Sequence, residues 1–228
     1  MSKVTPILAV DTALSACSVA VLTETRTVVR SEPMQRGHAE ALMPMLAAAM
    51  EEADLTYPDI GRFAVTIGPG TFTGVRVGVA AVRGLAVATG KPIIGITTLQ
   101  AFAETARRNG AADNTAILVA LDARREEVYA QCFLGREPIS EARAIAVADL
   151  LDSLDDRVAA VYGSAADAVQ AAAATRGHAM TVLGTPSAPD VGAIAELARD
   201  CPPGPPPAPL YLRPPDAKPQ AGKRIARR

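Results

Sequence analysis

Apolar residues at the start of the chain fall in short β-rich runs, over 7–10, 18–22 and 27–30, separated by turn-like residues; this predicts three strands in a meander. The period then lengthens to that of a helix over 38–53. A strand over 63–67, a helix over 73–89, a strand over 92–96 and a helix over 98–108 follow, so the predicted order is βββαβαβα. A second pass begins at ILVALD, residues 117–122, which resembles ILAVD, residues 7–11, at a shift of 111 when Asp11 and Asp122 are aligned. The same shift sets Cys17 against Val128. Helical patterns over 147–154, 165–176 and 191–200 alternate with strands over 159–162 and 180–183, which reads as duplication of one α/β unit. The expected organisation is an N-terminal lobe over 1–110, a C-terminal lobe over 111–200 and a tail over 201–228.

The tail stands apart because residues 201–219 hold nine of the 18 prolines, and proline continues neither a helix nor a central strand. The compact fold is expected to stop near Asp200, with an extended strap beyond it. Lys218, Lys223, Arg224, Arg227 and Arg228 then make a basic end.

Composition narrows the class. The 228 residues are 49% hydrophobic and 21% charged with a formal net charge of −1, so no general field draws in nucleic acid or anionic membrane. No signal-peptide pattern and no apolar stretch of bilayer-spanning length is read, so a cytoplasmic location without membrane association is expected. Cys17, Cys132 and Cys201 lack CxxC spacing, which argues against a disulfide framework or a zinc site.

The segments ILAVDTALSACSVAVL, GHAEALMP, GPGTFTGVRVGVAAVRGLA and LDARREEVY resemble the bacterial TsaB (YeaZ) family, and YLR at 211–213 matches a short motif near that family's C-terminus. The duplicated unit, with an aspartate closing the first strand of each half, resembles the actin, sugar kinase and Hsp70 (ASKHA) α/β architecture. What the resemblance implies is a noncatalytic subunit for N6-threonylcarbamoyladenosine formation at position 37 of tRNAs reading codons that begin with A. Its implied partners are a TsaD-like catalytic paralogue, which carries the metal and nucleotide chemistry, and a TsaE-like ATPase. tRNA is met indirectly through the complex, and homodimerisation is implied where the paralogue is absent.

The residues themselves offer little chemistry. Nucleotide-binding members of this architecture place glycine after the strand-ending aspartate so that backbone N–H groups approach phosphate. Here Asp11 is followed by Thr12, Ala13 and Leu14, and Asp122 by Ala123, Arg124 and Arg125. An ATP-dependent phosphotransferase or carbamoyl-type enzyme is the alternative, and it requires nucleotide affinity. Metal binding lacks the His-xxx-His pair of the catalytic paralogues, because His38 has Leu42 at i+4. His38 then reads as a helix-start residue or an interface hydrogen-bonder, and neither a cofactor nor a metal is expected.

The loop GPGTFTG offers an anion-site candidate in Gly68, Gly70, Thr71, Thr73 and Gly74 at a helix N-terminus. It lacks the lysine of a Walker motif and the GxGxxG spacing. Two neighbouring helices carry more apolar surface than one sheet needs, and Pro44 is expected to kink the first. The partner interface is therefore placed on His38, Leu42, Met45, Leu46 and Ala49, facing Gly74, Arg76, Gly78 and Ala81.

Overall fold

Alternate residues of the first strand, β1 (Ile7–Asp11), face opposite sides, and both sides are buried, so the strand reads as a continuous apolar run. In the computed structural model, which describes residues 5–213, β1 is the centre of a five-stranded sheet. It pairs antiparallel with β2 (Ala16–Leu22), which carries β3 (Thr27–Pro33), and parallel with β4 (Arg62–Thr66), which carries β5 (Ile93–Ile96). The order is β3-β2-β1-β4-β5.

The second sheet contains β6 (Ala116–Asp122), β7 (Glu127–Leu134), β8 (Glu137–Pro138), β9 (Arg143–Ala146), β10 (Val158–Tyr162) and β11 (Thr181–Gly184). Its order is β11-β10-β6-β7-β8, with β9 also on β7. Reading β6 for β1, β7 for β2 and β10 for β4 reproduces the first sheet. The duplication is therefore visible in the strand pairing, and its order is that of the ASKHA architecture. One detail differs from the sequence alignment. Asp11 pairs with Ser18 and Asp122 with Val128, so Ser18, not Cys17, is the counterpart of Val128. The second turn is one residue shorter.

Helices α1 (His38–Ala53) and α2 (Phe72–Thr89) cover one face of the first sheet, where Leu8, Val10 and Val19 meet Leu46, Val75 and Val79. α1 runs through Pro44 as a single helix, and Pro44 is exposed, so the bond its missing N–H forfeits lies on the solvent side. α4 (Val147–Asp152) and α5 (Ala166–Thr175) cover the outer face of the second sheet.

Between the sheets the units exchange helices. α3 (Thr98–Arg108), from the first unit, sets Leu99, Phe102 and Ala106 against Ile117, Val119 and Leu121 of the second sheet. α6 (Val191–Asp200), from the second unit, sets Ile194 and Ala198 against Ile7, Ala9 and Ile94 of the first. A cut at 110 thus leaves each sheet short of a helix that covers it. Glu104 of α3, 1% exposed, ties the exchange together: it accepts from Arg107 and from Arg136 in the β7–β8 turn, and Arg136 also pairs with Asp200 of α6. Burial pushes the Glu104 carboxyl up, but the two guanidinium groups outweigh it and hold the group below the usual range.

The fold also continues past Asp200, where the sequence had placed its edge. Arg62 donates to the Ala198 and Cys201 carbonyls, Arg83 to that of Pro207, and the Leu210 N–H bonds the Ile67 carbonyl at 2.7 Å. Arg213 then pairs with Glu127 and donates to the Ala123 carbonyl, so residues 201–213 strap the first sheet to the second. The basic end at Lys218 to Arg228 lies outside the described residues.

Arg136→Ala leaves the buried Glu104 with one partner and releases Asp200. A loss on the order of 2 kcal/mol is expected, read as a lower midpoint in chemical denaturation.

Candidate functional site

β1 ends at Asp11, which is fully buried. Its Oδ1 accepts from Thr66 Oγ1 at 2.5 Å and from the Ala13 N–H at 3.1 Å, whereas Oδ2 has no partner. Desolvation pushes this carboxyl above its ordinary value, against the Thr66 and Ala13 bonds and the nearby His38. His38 is itself buried at the start of α1 and lies 3.2 Å from the Leu14 carbonyl through Nε2, which must donate there. It thus holds the turn after β1 in place, in its helix-start role.

That turn meets the glycine loop. A β-carbon on Gly74 would sit 2.0 Å from the Thr12 carbonyl oxygen, and one on Gly70 would sit 2.4 Å from that of Ala13. Gly68 has φ +105, and a β-carbon there would reach 2.6 Å from the Leu210 carbonyl oxygen of the strap. The Thr71 N–H donates to Ala13, its hydroxyl caps the Gly74 N–H, and Thr12 Oγ1 donates to the Gly74 carbonyl at 2.7 Å. Of the anion-site candidates, Gly68, Gly70, Thr71 and Gly74 therefore make contacts within the chain, while Thr71 and Thr73 are exposed. The start of α2 packs against the turn that follows the buried Asp11, while Gly70 and Thr71 also line an open cleft.

The other strand-ending loop lacks glycine and still turns left-handed: Arg124, Arg125 and Glu126 have φ of 61, 56 and 63. The Arg124 N–H bonds Asp122 Oδ1 at 2.7 Å. Between the two loops lies a cleft of about 750 Å³, lined by Ser15, Thr71, Phe72, Asp122, Arg124 and Tyr211 among others. Among the described residues no group of three or more His, Cys, Asp or Glu converges to hold a metal.

The helix surface proposed from sequence turns out to face mostly inward. Leu42, Met45, Leu46 and Ala49 are buried in the first core with His38 beside them, and Gly78 faces Thr12 and Val65. Gly74 is likewise buried, Ala81 is half-buried, and Arg76 alone of that set is exposed. The apolar count of a helix does not tell which of its sides the sheet takes. The exposed side includes the uncharged Met43, Pro44 and Ala47 on α1 and Ala80, Gly84 and Val87 on α2, bordered by the exposed charges of Glu40, Glu51, Arg76 and Arg83. Met43 is 50% and Val87 87% exposed.

α2, with 18 residues and 28% of them buried, also has the length and composition of a membrane span, contrary to the sequence expectation. Val75, Val79 and Val82 nevertheless dock it on the sheet. The exposed pair Phe72 and Tyr211 was not legible as a pair, because the partners are far apart in sequence.

A carboxyl raised by burial favours the folded state below the ordinary carboxylate pKa, and that contribution is lost as pH rises toward the raised value. Asp11→Asn should therefore be more stable than the parent above the ordinary range and should converge with it in acid. Denaturation midpoints across pH check this.

The family model described as "TsaD: tRNA N6-adenosine threonylcarbamoyltransferase" matches residues 26–193. The tRNA threonylcarbamoyladenosine biosynthesis protein TsaB of Escherichia coli is 41% identical over 54% of this chain and 52% of its own length. The chain thus spans about half the length of such curated relatives. An uncharacterized protein of Mycobacterium tuberculosis is 32% identical over 96% of this chain and 97% of its own. Among solved structures, a Pseudomonas aeruginosa protein described as similar to peptidase YEAZ superposes with TM-score 0.76 at 26% identity, covering 92% of this chain and all of that one. YeaZ from Pseudomonas aeruginosa gives 0.70 at 27% identity, over 85% and 90%. With the family model spanning most of both sheets and relatives of this name on either comparison, the chain belongs to the TsaB (YeaZ) family.

Proposed function

We propose that this chain is a noncatalytic subunit in N6-threonylcarbamoyladenosine formation on tRNA, and that the open side of α1 and α2 binds a TsaD-like catalytic paralogue. The family relationship supports the pathway. The lack of glycine directly after Asp11 and Asp122 supports the noncatalytic part, because an ATP-dependent enzyme of this architecture brings backbone N–H groups close to phosphate there. A TsaE-like ATPase joins the pair in this reading, and the same helix face pairs two copies when the paralogue is absent.

One observation carries the surface. Gly84 lies inside α2, where glycine costs about 1 kcal/mol relative to alanine, yet a β-carbon there would meet nothing within 4 Å. No contact within the chain requires the small residue. A close-packed neighbour from outside does, and the uncharged Met43, Ala47, Ala80 and Val87 around it supply the apolar contact.

Gly84→Ala is expected to raise the stability of the isolated chain by about 1 kcal/mol. Gly84→Arg and Met43→Glu, both at exposed positions, should keep the parent's circular dichroism and melting temperature while weakening co-purification with the TsaD-like subunit at least about ten-fold. Cells carrying only those variants should lose threonylcarbamoyladenosine. Normal complex formation by both folded variants would move the interface elsewhere, and steady ATP hydrolysis by the pure chain would restore the enzyme alternative.

A further inference from the structure

Several arginines of this chain end on carboxylates: Arg30 on Glu52, Arg107 and Arg136 on Glu104, Arg108 on Asp190, Arg157 on Asp155, Arg176 on Asp152 and Arg213 on Glu127. Arg76 and Arg124 are exposed and form no ion pair among the described residues. Both stand at the cleft between the sheets. Arg124 lines it, and the Arg76 guanidinium carbon lies 3.4 Å above the ring of Phe72, which lines it too. Phe72 stacks on Tyr211 with ring centroids 5.4 Å apart and planes 29° from parallel.

The aromatic pair is out of place as core. Phe63, Phe102 and Phe133 are fully buried, whereas Phe72 and Tyr211 are 48% and 41% exposed. Holding the strap accounts for their contact, and Arg76 covers one face of Phe72, but neither accounts for the exposure that remains on both rings, nor for two guanidinium groups without a carboxylate partner at the same cleft.

We propose that this surface binds single-stranded RNA directly, with an unstacked base on the Phe72–Tyr211 platform and neighbouring phosphates on Arg76 and Arg124. Aromatic faces accept any unpaired base, and arginine both stacks and pairs with phosphate. A duplex hides its base faces, so the platform favours single strands and loops. The cleft also carries the exposed carboxylate Asp122, which accepts the backbone N–H of Arg124 and is the one acidic side chain in its lining among the described residues. Charge along the chain fits the same partner. The whole chain has a net charge of −1, yet residues 214–228, which follow directly from Arg213, carry Lys218, Lys223, Arg224, Arg227 and Arg228 against Asp216.

Phe72 is about 22 Å along α2 from Val87, whereas Arg76 is one turn from Ala80, so the RNA surface adjoins the proposed protein surface. The inference does not rest on the modification role, because RNA affinity is measured on the isolated chain. Fluorescence anisotropy with a labelled single-stranded RNA of about 12 nucleotides, and with a duplex of the same sequence, gives the test across a salt series. Tighter binding to the single strand is expected. Arg76→Ala and Arg124→Ala should each lower the salt slope by about 0.7, and Arg76→Lys should restore it. Phe72→Leu and Tyr211→Leu should weaken binding about five-fold or more and leave the slope unchanged. Melting temperatures of the two exposed arginine variants should match the parent, which keeps the test independent of folding. Absence of binding, equal affinity for the duplex, or loss on deleting 214–228 with all platform variants unaffected would each overturn the proposal.

Discussion

The approach of Gly74 to the Thr12 carbonyl is the constraint on which the first unit turns. Only a residue without a side chain lets the start of α2 close on the turn after β1, and the bonds between Thr71, Ala13, Thr12 and Gly74 then lock the two together. This contact helps bury Asp11 and fixes the rotation of α2 on the sheet. That rotation decides which residues the sheet takes and which remain outside. A loop whose composition suggests ligand binding thus spends its glycines on packing within the chain.

The second organising feature is the exchange of α3 and α6. Each has a single apolar face and could cover either sheet by pattern alone. In the fold each covers the sheet of the other unit, and the buried Glu104, reached by Arg136 from a distant turn, fastens the crossing. The strap repeats the theme at the surface, running from Ile67 in the first unit to Glu127 in the second. Neither unit is self-sufficient.

The elements themselves were legible in the sequence. Apolar runs marked the strands, and α1, α3 and α6 occupy the ranges the periodicity predicts, with Thr97 and Asp190 as N-caps. The duplicated aspartates pointed to the architecture. What could not be read was direction. Leu46 and Gly78 are apolar or small, as an interface residue would be, but they face their own sheet; Met43 and Gly84 have the same character and face out. Hydrophobicity counts such residues alike, and only docking separates them. The Phe72–Tyr211 stack was hidden for another reason, since nothing local records that a proline-rich strap returns to the start of α2.

The cover of the first sheet has a consequence for synthesis. Ile7, Ala9 and Ile94 receive most of their partners from α6, so their side of the sheet lacks that cover from the completion of β5 at Ile96 until Val191 is reached. An apolar sheet face waiting on the ribosome is an open invitation to chaperones and to aggregation. Contacts spanning so much sequence also slow the search once the chain is free. A nascent chain halted before Val191 would carry strands without their roof, and the order in which this molecule emerges is therefore opposite to the order its core requires.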